Sequence, residues 1–135
     1  MTHLSGQCLC GAVTFTFDGD ITRTANCHCS DCRAATGAAY ATLIFVPEDG
    51  VSITGTLHEY HHKADSGSDM TKLFCPTCGS QMFTRNSKRA GTLGIRAGVT
   101  NERDEVKPQV NVYKSSAIPS TPLDPELPAF DKMPG

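Results

Sequence analysis

The residues best suited to chemistry in this 135-residue sequence are its seven cysteines, which fall into three tight groups. Thiolates are strong zinc ligands, and clustered cysteines are typical of zinc sites. Disulfides would leave one of seven thiols over, and the sequence begins without a signal peptide, so we expect a reducing, cytoplasmic location. The groups that we interpret as metal ligands are Cys8 and Cys10; Cys27, Cys29 and Cys32; and Cys75 and Cys78.

The first and last groups can join into one site with four sulfurs. Sulfur ligands of a tetrahedral zinc lie about 3.7 Å apart, and both a Cys-x-Cys strand and a Cys-x-x-Cys turn can reach that spacing. In "FCPTCGS", Pro76 favours a turn, and Gly79 permits the left-handed conformation that directs backbone N–H groups toward sulfur. These two groups therefore predict a closed, structural zinc site.

The middle group supplies three ligands, which leave one zinc position open. An open position is typical of catalytic zinc, because a substrate or a water can occupy it. A histidine could close the site instead. His28 is the nearest candidate, although in an extended turn its side chain would point away from those of the cysteines beside it. The other candidates are His3, His58, His61 and His62.

Two further motifs resemble reactive sites without their usual structural setting. "HEYHH" (58–62) matches HExxH, which binds zinc through two histidines one helical turn apart. Here the motif follows "VSITGTL" and lies between Gly55 and Gly67, which favours an exposed polar strand that binds no metal. Cys75 and Cys78 could form a redox dithiol, but the surrounding pattern is not the βαβ pattern of such proteins.

Short strands must position these groups. Apolar and polar residues alternate in "GAVTFTF" (11–17), and further strands are predicted at 39–46, 51–55, 56–62, 70–74, 81–85, 92–98 and 110–113. We expect 51–55 and 56–62 to form a pair that turns at Gly55. One short helix is predicted from Ser30 to about Ala35, with Ser30 as its cap and Gly37 at its end. The pattern predicts a mainly antiparallel β protein.

Composition and charge exclude several classes of partner. Lys and Arg number 12 against 14 Asp and Glu, and no basic cluster suggests a nucleic-acid or membrane surface. No apolar run approaches the ~20 residues of a transmembrane helix. We expect one domain over 1–135, with a Pro-rich tail from about 115 that Leu123, Leu127 and Phe130 could attach to the body. The oligomeric state is left open.

The cysteine-containing segments resemble one known family. "GQCLCGAVTF", "CHCSDCR" and "FCPTCGS", between Gly6 and about Arg85, are similar to the glutathione-dependent formaldehyde-activating enzymes, a family that also includes centromere protein V. The resemblance implies a β-tent of small antiparallel sheets. It also implies two zinc ions per chain, a structural one on Cys8, Cys10, Cys75 and Cys78 and a catalytic one on Cys27, Cys29 and Cys32.

The family activity is the condensation of formaldehyde with glutathione to S-hydroxymethylglutathione, a carbon–sulfur lyase reaction. The resemblance therefore implies a small-molecule thiol partner. Because three thiolates on zinc leave a net charge of about −1, which favours a fourth sulfur over a Lewis-acid role, we expect the substrate or a water to supply the fourth ligand. Residues near the middle group that could contact a substrate are His28, Ser30, Asp31, Arg33 and Thr36, of which Arg33 could hold a carboxylate. The alternatives are a non-catalytic, zinc-stabilised β scaffold for a protein partner and a chromatin-associated role, against which the lack of a basic patch counts.

Overall fold

The computed structural model describes residues 1–134, and it is mainly β, as the sequence predicts. In chain order these residues form β1 (Thr2–Gln7), β2 (Thr14–Gly19), β3 (Arg23–Cys27), α1 (Ser30–Thr36), β4 (Ala41–Pro47), β5 (Val51–Thr54), β6 (His58–Lys63), β7 (Asp69–Phe74), β8 (Gln81–Asn86), β9 (Thr92–Arg96) and β10 (Val110–Val112). Single turns of 3₁₀ helix lie in the connections. Within residues 1–134, no helix has the length and apolar character needed to span a membrane.

The smaller sheet contains β1, β2 and β5 in that order, and all its strands are antiparallel. Phe15 and Phe17 are buried while Thr14 and Thr16 are exposed, which is the alternation that the sequence of this segment predicts. Leu4 lies opposite Phe17 on the neighbouring strand. One face of this sheet is therefore covered by large apolar side chains, and it forms half of the main core.

The larger sheet has seven strands in the order β10-β3-β4-β9-β8-β7-β6. Every neighbouring pair is antiparallel except β10 and β3, which run parallel. One face of this sheet packs on the smaller sheet, where the rings of Phe15 and Phe83 meet edge to face with centroids 5.4 Å apart. The core residues on this face are Ile44, Val46, Leu73, Phe83, Leu93 and Ile95.

The opposite face of the larger sheet carries different side chains. Because successive residues of a strand point to opposite faces, the neighbours of the core positions lie here. Leu43 is paired with Arg96, and Phe45 is paired with Gly94. A second, smaller apolar cluster packs around the β3 end of this face, and it includes Ala25, Cys27, Cys32, Val110 and Val112.

The expected hairpin at Gly55 is wrong. β5 pairs with β2 in the smaller sheet, whereas β6 pairs with β7 in the larger one. Gly55 has a φ of 109°, and the chain crosses there from one sheet to the other. Alternation of apolar and polar residues along a strand is a local property. The strand with which it pairs depends instead on which sheet edge is free in the folded chain. β1 and β3 are strands that the sequence pattern did not indicate.

The predicted helix is present, with a different cap. Cys29 is the N-cap residue, and its sulfur accepts a hydrogen bond from the Cys32 N–H at 3.2 Å. Ser30 is instead the first helical residue. Gly37 ends the helix in the left-handed conformation, with a φ of 72°, as predicted. A predicted metal ligand thus also sets the start of the helix.

The Pro-rich tail lies beside β10 and is attached mainly through its backbone. The Asn111 N–H donates to the Pro128 carbonyl at 2.9 Å, and the Phe130 N–H donates to the Asn111 carbonyl at 3.0 Å. Leu123 and Leu127 are half-buried, whereas Phe130 is 37% exposed. Of the three residues expected to attach the tail, the two leucines are therefore partly shielded from solvent, and the phenylalanine is more exposed.

Candidate metal centres

The first and last cysteine groups meet in the folded chain. The sulfurs of Cys8 and Cys10 lie 3.7 Å apart, and those of Cys10 and Cys75 lie 3.8 Å apart. Together with Cys78, all four sulfurs lie within 4.8 Å of one another. These separations match the ~3.7 Å edge of a tetrahedral zinc–sulfur site, so the group fits zinc in both spacing and donor type.

Two glycine turns place these four sulfurs. Gly11 and Gly79 have φ angles of 80° and 77°, which residues with a side chain rarely adopt. The Gly11 N–H donates to the Cys8 carbonyl at 3.1 Å, and the Gly79 N–H donates to the Cys75 carbonyl at 2.8 Å. Each turn bends the chain back on itself, so both cysteines of each group face the same point.

Hydrogen-bond donors surround the sulfurs of the four-cysteine cluster. The Val13 N–H donates to the Cys8 sulfur at 3.3 Å. The hydroxyl of Ser80 lies 3.2 Å from the Cys78 sulfur, and hydrogen bonds from this hydroxyl and from the Ser80 backbone lower the pKa of Cys78 to about 5. Donors of this kind favour thiolate over thiol and therefore favour metal binding.

The middle group forms a separate cluster of three sulfurs. Cys27 ends β3, Cys29 caps α1 and Cys32 lies in the first turn of α1. Their sulfurs lie within 4.8 Å of one another, and across residues 1–134 no histidine nitrogen or carboxylate oxygen joins them. Cys27 and Cys32 are buried and Cys29 is half-buried. A metal held by these three sulfurs would keep a position open for another ligand.

The three thiols share protons unequally. Hydrogen bonds from the Cys27 and Cys32 thiols lower the pKa of Cys29 to about 2, although burial opposes them. The same interaction with Cys29 raises the pKa of Cys27. Binding of a metal by three thiolates would therefore release protons from this cluster.

The three-cysteine cluster opens into a cavity of about 240 Å³. Its walls are the face of the larger sheet that turns away from the core, together with α1 and the segment after β6. Both Cys27 and Arg23 line it, and four residues of strand separate them by about 13 Å, so the cavity is elongated along β3. Leu43 and Phe45 make its middle part apolar.

Four further side chains lie near the sulfurs; the sequence indicated His62 only as a possible zinc ligand, and it did not indicate the other three. Lys72 and His62 line the cavity, and Lys72 is only 5% exposed. The His62 Nδ1 lies 3.9 Å from the Asp31 Oδ2. The guanidinium of Arg96 is fully enclosed behind the cavity wall. Period-2 alternation in 70–74 and 92–96 could have placed Lys72 and Arg96 on the face away from the core.

The fourth of these side chains is Tyr113, at the end of β10. It lines the cavity with a φ of 58°, an uncommon conformation for a residue with a side chain. Its hydroxyl donates to the Asp65 Oδ1 at 3.0 Å, and burial together with this carboxylate raises the pKa of Tyr113 to about 12. The hydrogen bond connects the segment after β6 to β10 across the cavity.

Of the residues proposed beside the cysteines, His28 and Arg33 make contacts outside the cavity. His28 is fully buried, its Nε2 lies 3.0 Å from the Asn111 Oδ1, and its ring packs on Tyr40 at 4.8 Å. The Arg33 Nε donates to the His28 carbonyl at 3.5 Å. Neither residue lines the cavity, whereas Asp31 does.

Ser30 and Thr36 also lie outside the cavity wall. Ser30 is exposed at the start of α1. The Thr36 hydroxyl donates to the Cys32 carbonyl at 2.8 Å within the helix. Both side chains therefore serve α1 or face solvent.

"HEYHH" lies in β6 and is largely exposed, as predicted. In a strand, His58 and His62 are about 13 Å apart, which is too far for one metal ion. His61 lies 3.1 Å from the Thr71 hydroxyl on the neighbouring strand. This geometry is incompatible with the helical metalloprotease site.

Two β-sheets with a four-cysteine and a three-cysteine cluster define a class of small β proteins with two potential metal sites. A model of the family described as glutathione-dependent formaldehyde-activating enzyme matches residues 3–116. The chain therefore belongs to the glutathione-dependent formaldehyde-activating enzyme family.

Individual relatives agree with this assignment. The chain is 26% identical to an Aspergillus terreus protein over 86% of the chain and 24% identical to a Fusarium vanettenii protein over 83% of it. Both carry the family's name as a provisional description. The chain spans only about three fifths of their length, 62% and 61% respectively.

A solved structure supports the fold. The crystal structure of a Rhodobacter sphaeroides protein superposes with a TM-score of 0.58 and 22% sequence identity. The match covers 77% of this chain and 96% of that protein. At this identity the likeness shows the fold alone.

Proposed function

We propose that this protein is a zinc-dependent enzyme of the carbon–sulfur lyase type. Its substrate would be the adduct of a glutathione-like thiol with a small electrophile such as formaldehyde, formed or cleaved as S-hydroxymethylglutathione. Cys8, Cys10, Cys75 and Cys78 would hold a structural zinc, and Cys27, Cys29 and Cys32 a catalytic one. Family membership supports the class of reaction, and the two cysteine clusters support the metal sites.

One observation carries the proposal: the three-cysteine cluster lies on the wall of a cavity and lacks a fourth ligand within residues 1–134. A purely structural zinc site uses four protein ligands and closes. Here the position that a fourth ligand would take faces a space large enough for part of a small thiol. The cavity therefore provides room for a ligand from solution, which a structural site with four protein ligands does not need.

The chemistry follows from the charges of the site. When bound, zinc would lower the pKa of a thiol in the open position, so that the sulfur is held as a nucleophile near neutral pH. Leu43 and Phe45 give the cavity next to the cysteines an apolar wall, which would limit the hydration of a ligand there. Cys27, Cys29 and Cys32 orient the ligand toward the cavity, where a small carbonyl compound can reach its sulfur.

Cobalt substitution tests this proposal, because cobalt–thiolate spectra report ligand number and sulfur content. We expect added glutathione to strengthen the sulfur-to-cobalt charge-transfer band of the wild-type protein. The Cys32→Ser variant should remain folded and show no response. Turnover of formaldehyde with glutathione should require both glutathione and Cys32.

A different spectrum would contradict the proposal. If the cobalt protein already shows two saturated tetrahedral sites and does not respond to thiols, the three-cysteine cluster is closed. The protein would then be a metal-stabilised scaffold, and binding to a protein partner would become the function to test.

A further inference from the structure

Two buried cations lie beside the three-cysteine cluster without the partners that burial normally demands. Lys72 is 5% exposed and Arg96 is 4% exposed. Neither forms an ion pair with a carboxylate of residues 1–134. Within residues 1–134, the Cys32 sulfur is the hydrogen-bonding partner that acts on the Arg96 guanidinium, and the three guanidinium nitrogens have no oxygen acceptor. A buried charge is costly unless an opposite charge or a ligand accompanies it.

The sheet register explains why both cations face the cysteines. Lys72 is paired with Thr84, Thr84 is paired with Gly94, and Arg96 follows Gly94 by two residues on the same face. The row continues through the pair of Arg96 with Leu43.

From Leu43 the same face leads to the sulfurs. Leu43 is paired with Ala25, and Cys27 follows Ala25 by two residues on β3. Lys72, Arg96 and Cys27 therefore share one face of one sheet, and the thiolates are the anions available to the two cations.

Electrostatics agree with this placement. Burial lowers the pKa of Lys72, while the charges of Cys32 and Cys29 act in the opposite direction. Burial likewise lowers the pKa of Arg96, and the charge of Cys32 opposes it. With a divalent metal, three thiolates would carry a net charge of about −1, and Asp31 on the cavity wall adds a carboxylate near Lys72. A cation that lines the cavity still offers a direct contact to an anionic group of a ligand.

The two cations differ in access. Lys72 lines the cavity, so its ammonium can contact a ligand there. The Arg96 guanidinium is enclosed and acts on a ligand only through the thiolates. Lys72 is therefore the residue that can recognise the anion directly.

We propose that Lys72 binds an anionic oxygen carried by the carbon attached to the ligand's sulfur. This inference rests on the proposed function. When the sulfur adds to a carbonyl carbon, a C–S bond forms and the C=O π pair moves to oxygen, to which Lys72 donates a hydrogen bond. The proton lost by the thiol ends on that oxygen, so a thiol and an aldehyde give a hydroxymethyl thioether without a redox step.

The test compares three small thiols on the cobalt-loaded full chain: mercaptoacetate, which carries an oxyanion next to its S–CH₂ group, neutral 2-mercaptoethanol and cationic cysteamine. Dissociation constants come from the charge-transfer band. We expect the preference for mercaptoacetate over cysteamine to fall about 10- to 100-fold in Lys72→Met. The different acidities of the thiols affect wild type and variant alike, so they cancel when the two preferences are compared.

Two variants serve as controls. Lys72→Arg keeps the charge and should keep most of the preference. Lys63→Met removes a lysine outside the cavity lining that pairs with Asp69 at 2.8 Å, and it should leave the preference unchanged.

Each outcome decides between the two proposals. Equal binding of all three thiols by the wild type, or an unchanged preference in Lys72→Met, overturns the role of Lys72 and leaves the open site intact. The wild-type comparison needs no variant, so it stands if Lys72→Met does not fold. A cobalt spectrum that responds to none of the thiols contradicts the proposed function itself, and this inference with it.

Discussion

The two cysteine clusters use the same ligand atom in opposite surroundings. The four-cysteine cluster joins the turn before β2 to the turn between β7 and β8, so Cys10 and Cys75 meet across 65 residues of sequence. The three-cysteine cluster lies within six consecutive residues. A metal in the first cluster would close a long loop, whereas a metal in the second would tie together only a strand end and one helical turn.

Their electrostatic partners differ as well. Backbone N–H groups and the Ser80 hydroxyl surround the four-cysteine cluster, and Cys10 is exposed. The three-cysteine cluster is more buried and has the full charges of Lys72 and Arg96 beside it. Dipoles and solvent suffice for a closed structural site, whereas a buried site that accepts a charged ligand needs fixed counter-charges.

The largest expected effect comes from breaking the four-cysteine cluster. Cys75→Ser should give insoluble or unfolded protein. Structural zinc contributes about 10–16 kcal/mol in zinc-finger peptides, which is as large as the ~5–15 kcal/mol stability of a typical domain. Soluble yield and circular dichroism measure the result. Folded Cys75→Ser protein with normal thermal stability would show that the cluster does not stabilise the fold.

Breaking the three-cysteine cluster should have a smaller effect on folding and a complete effect on activity. Cys29→Ser should stay folded, lose one of two zinc ions and lose turnover. Its loss of stability should be limited to the stabilisation from the lost metal, because serine is itself a preferred N-cap residue and can accept the hydrogen bond from the Cys32 N–H. Zinc quantification and thermal unfolding measure both. Unfolding as complete as in Cys75→Ser would remove the proposed division between the two clusters.

Removing a counter-charge should weaken one cluster and spare the other. Arg96→Met should lower metal affinity at the three-cysteine cluster about 10-fold or more, because a cation next to three thiolates is lost. The four-cysteine cluster should keep its metal. Competition with a chelator measures the two affinities separately.

The matched control for this experiment is Arg33→Met, since Arg33 also lies near the cluster but contacts the His28 carbonyl. It should not change either affinity. Equal affinities in Arg96→Met and Arg33→Met would mean that Arg96 does not stabilise the thiolates.

The smallest effect is expected from the third candidate metal motif. The double variant His58→Ala and His62→Ala should bind as much zinc as the wild type, because a strand separates these histidines too widely for one ion. Metal analysis of the purified protein measures this. The loss of one zinc equivalent would revive "HEYHH" as a metal site.

Much of the candidate site could be predicted because its decisive features are local. A Cys-x-Cys or Cys-x-x-Cys segment brings its own sulfurs together, so the partition of seven cysteines into four and three follows from spacing, and the structure forms the same two groups. The alternation of Phe15 and Phe17 likewise reports a half-buried strand. The glycine after Cys78 and the glycine that ends α1 could be placed because their conformations are properties of single residues.

What the sequence by itself determined, then, is the division of the cysteines into two clusters, the mainly β character and the family. The tertiary structure alone decided which strands are partners, as the wrong hairpin at Gly55 demonstrates. It also decided that the sheet face bearing Lys72 and Arg96 lies next to a cavity and the three cysteines and is not exposed to solvent. The physical reason is that alternation along a strand separates two faces without saying what covers either one, since the covering elements come from distant parts of the chain.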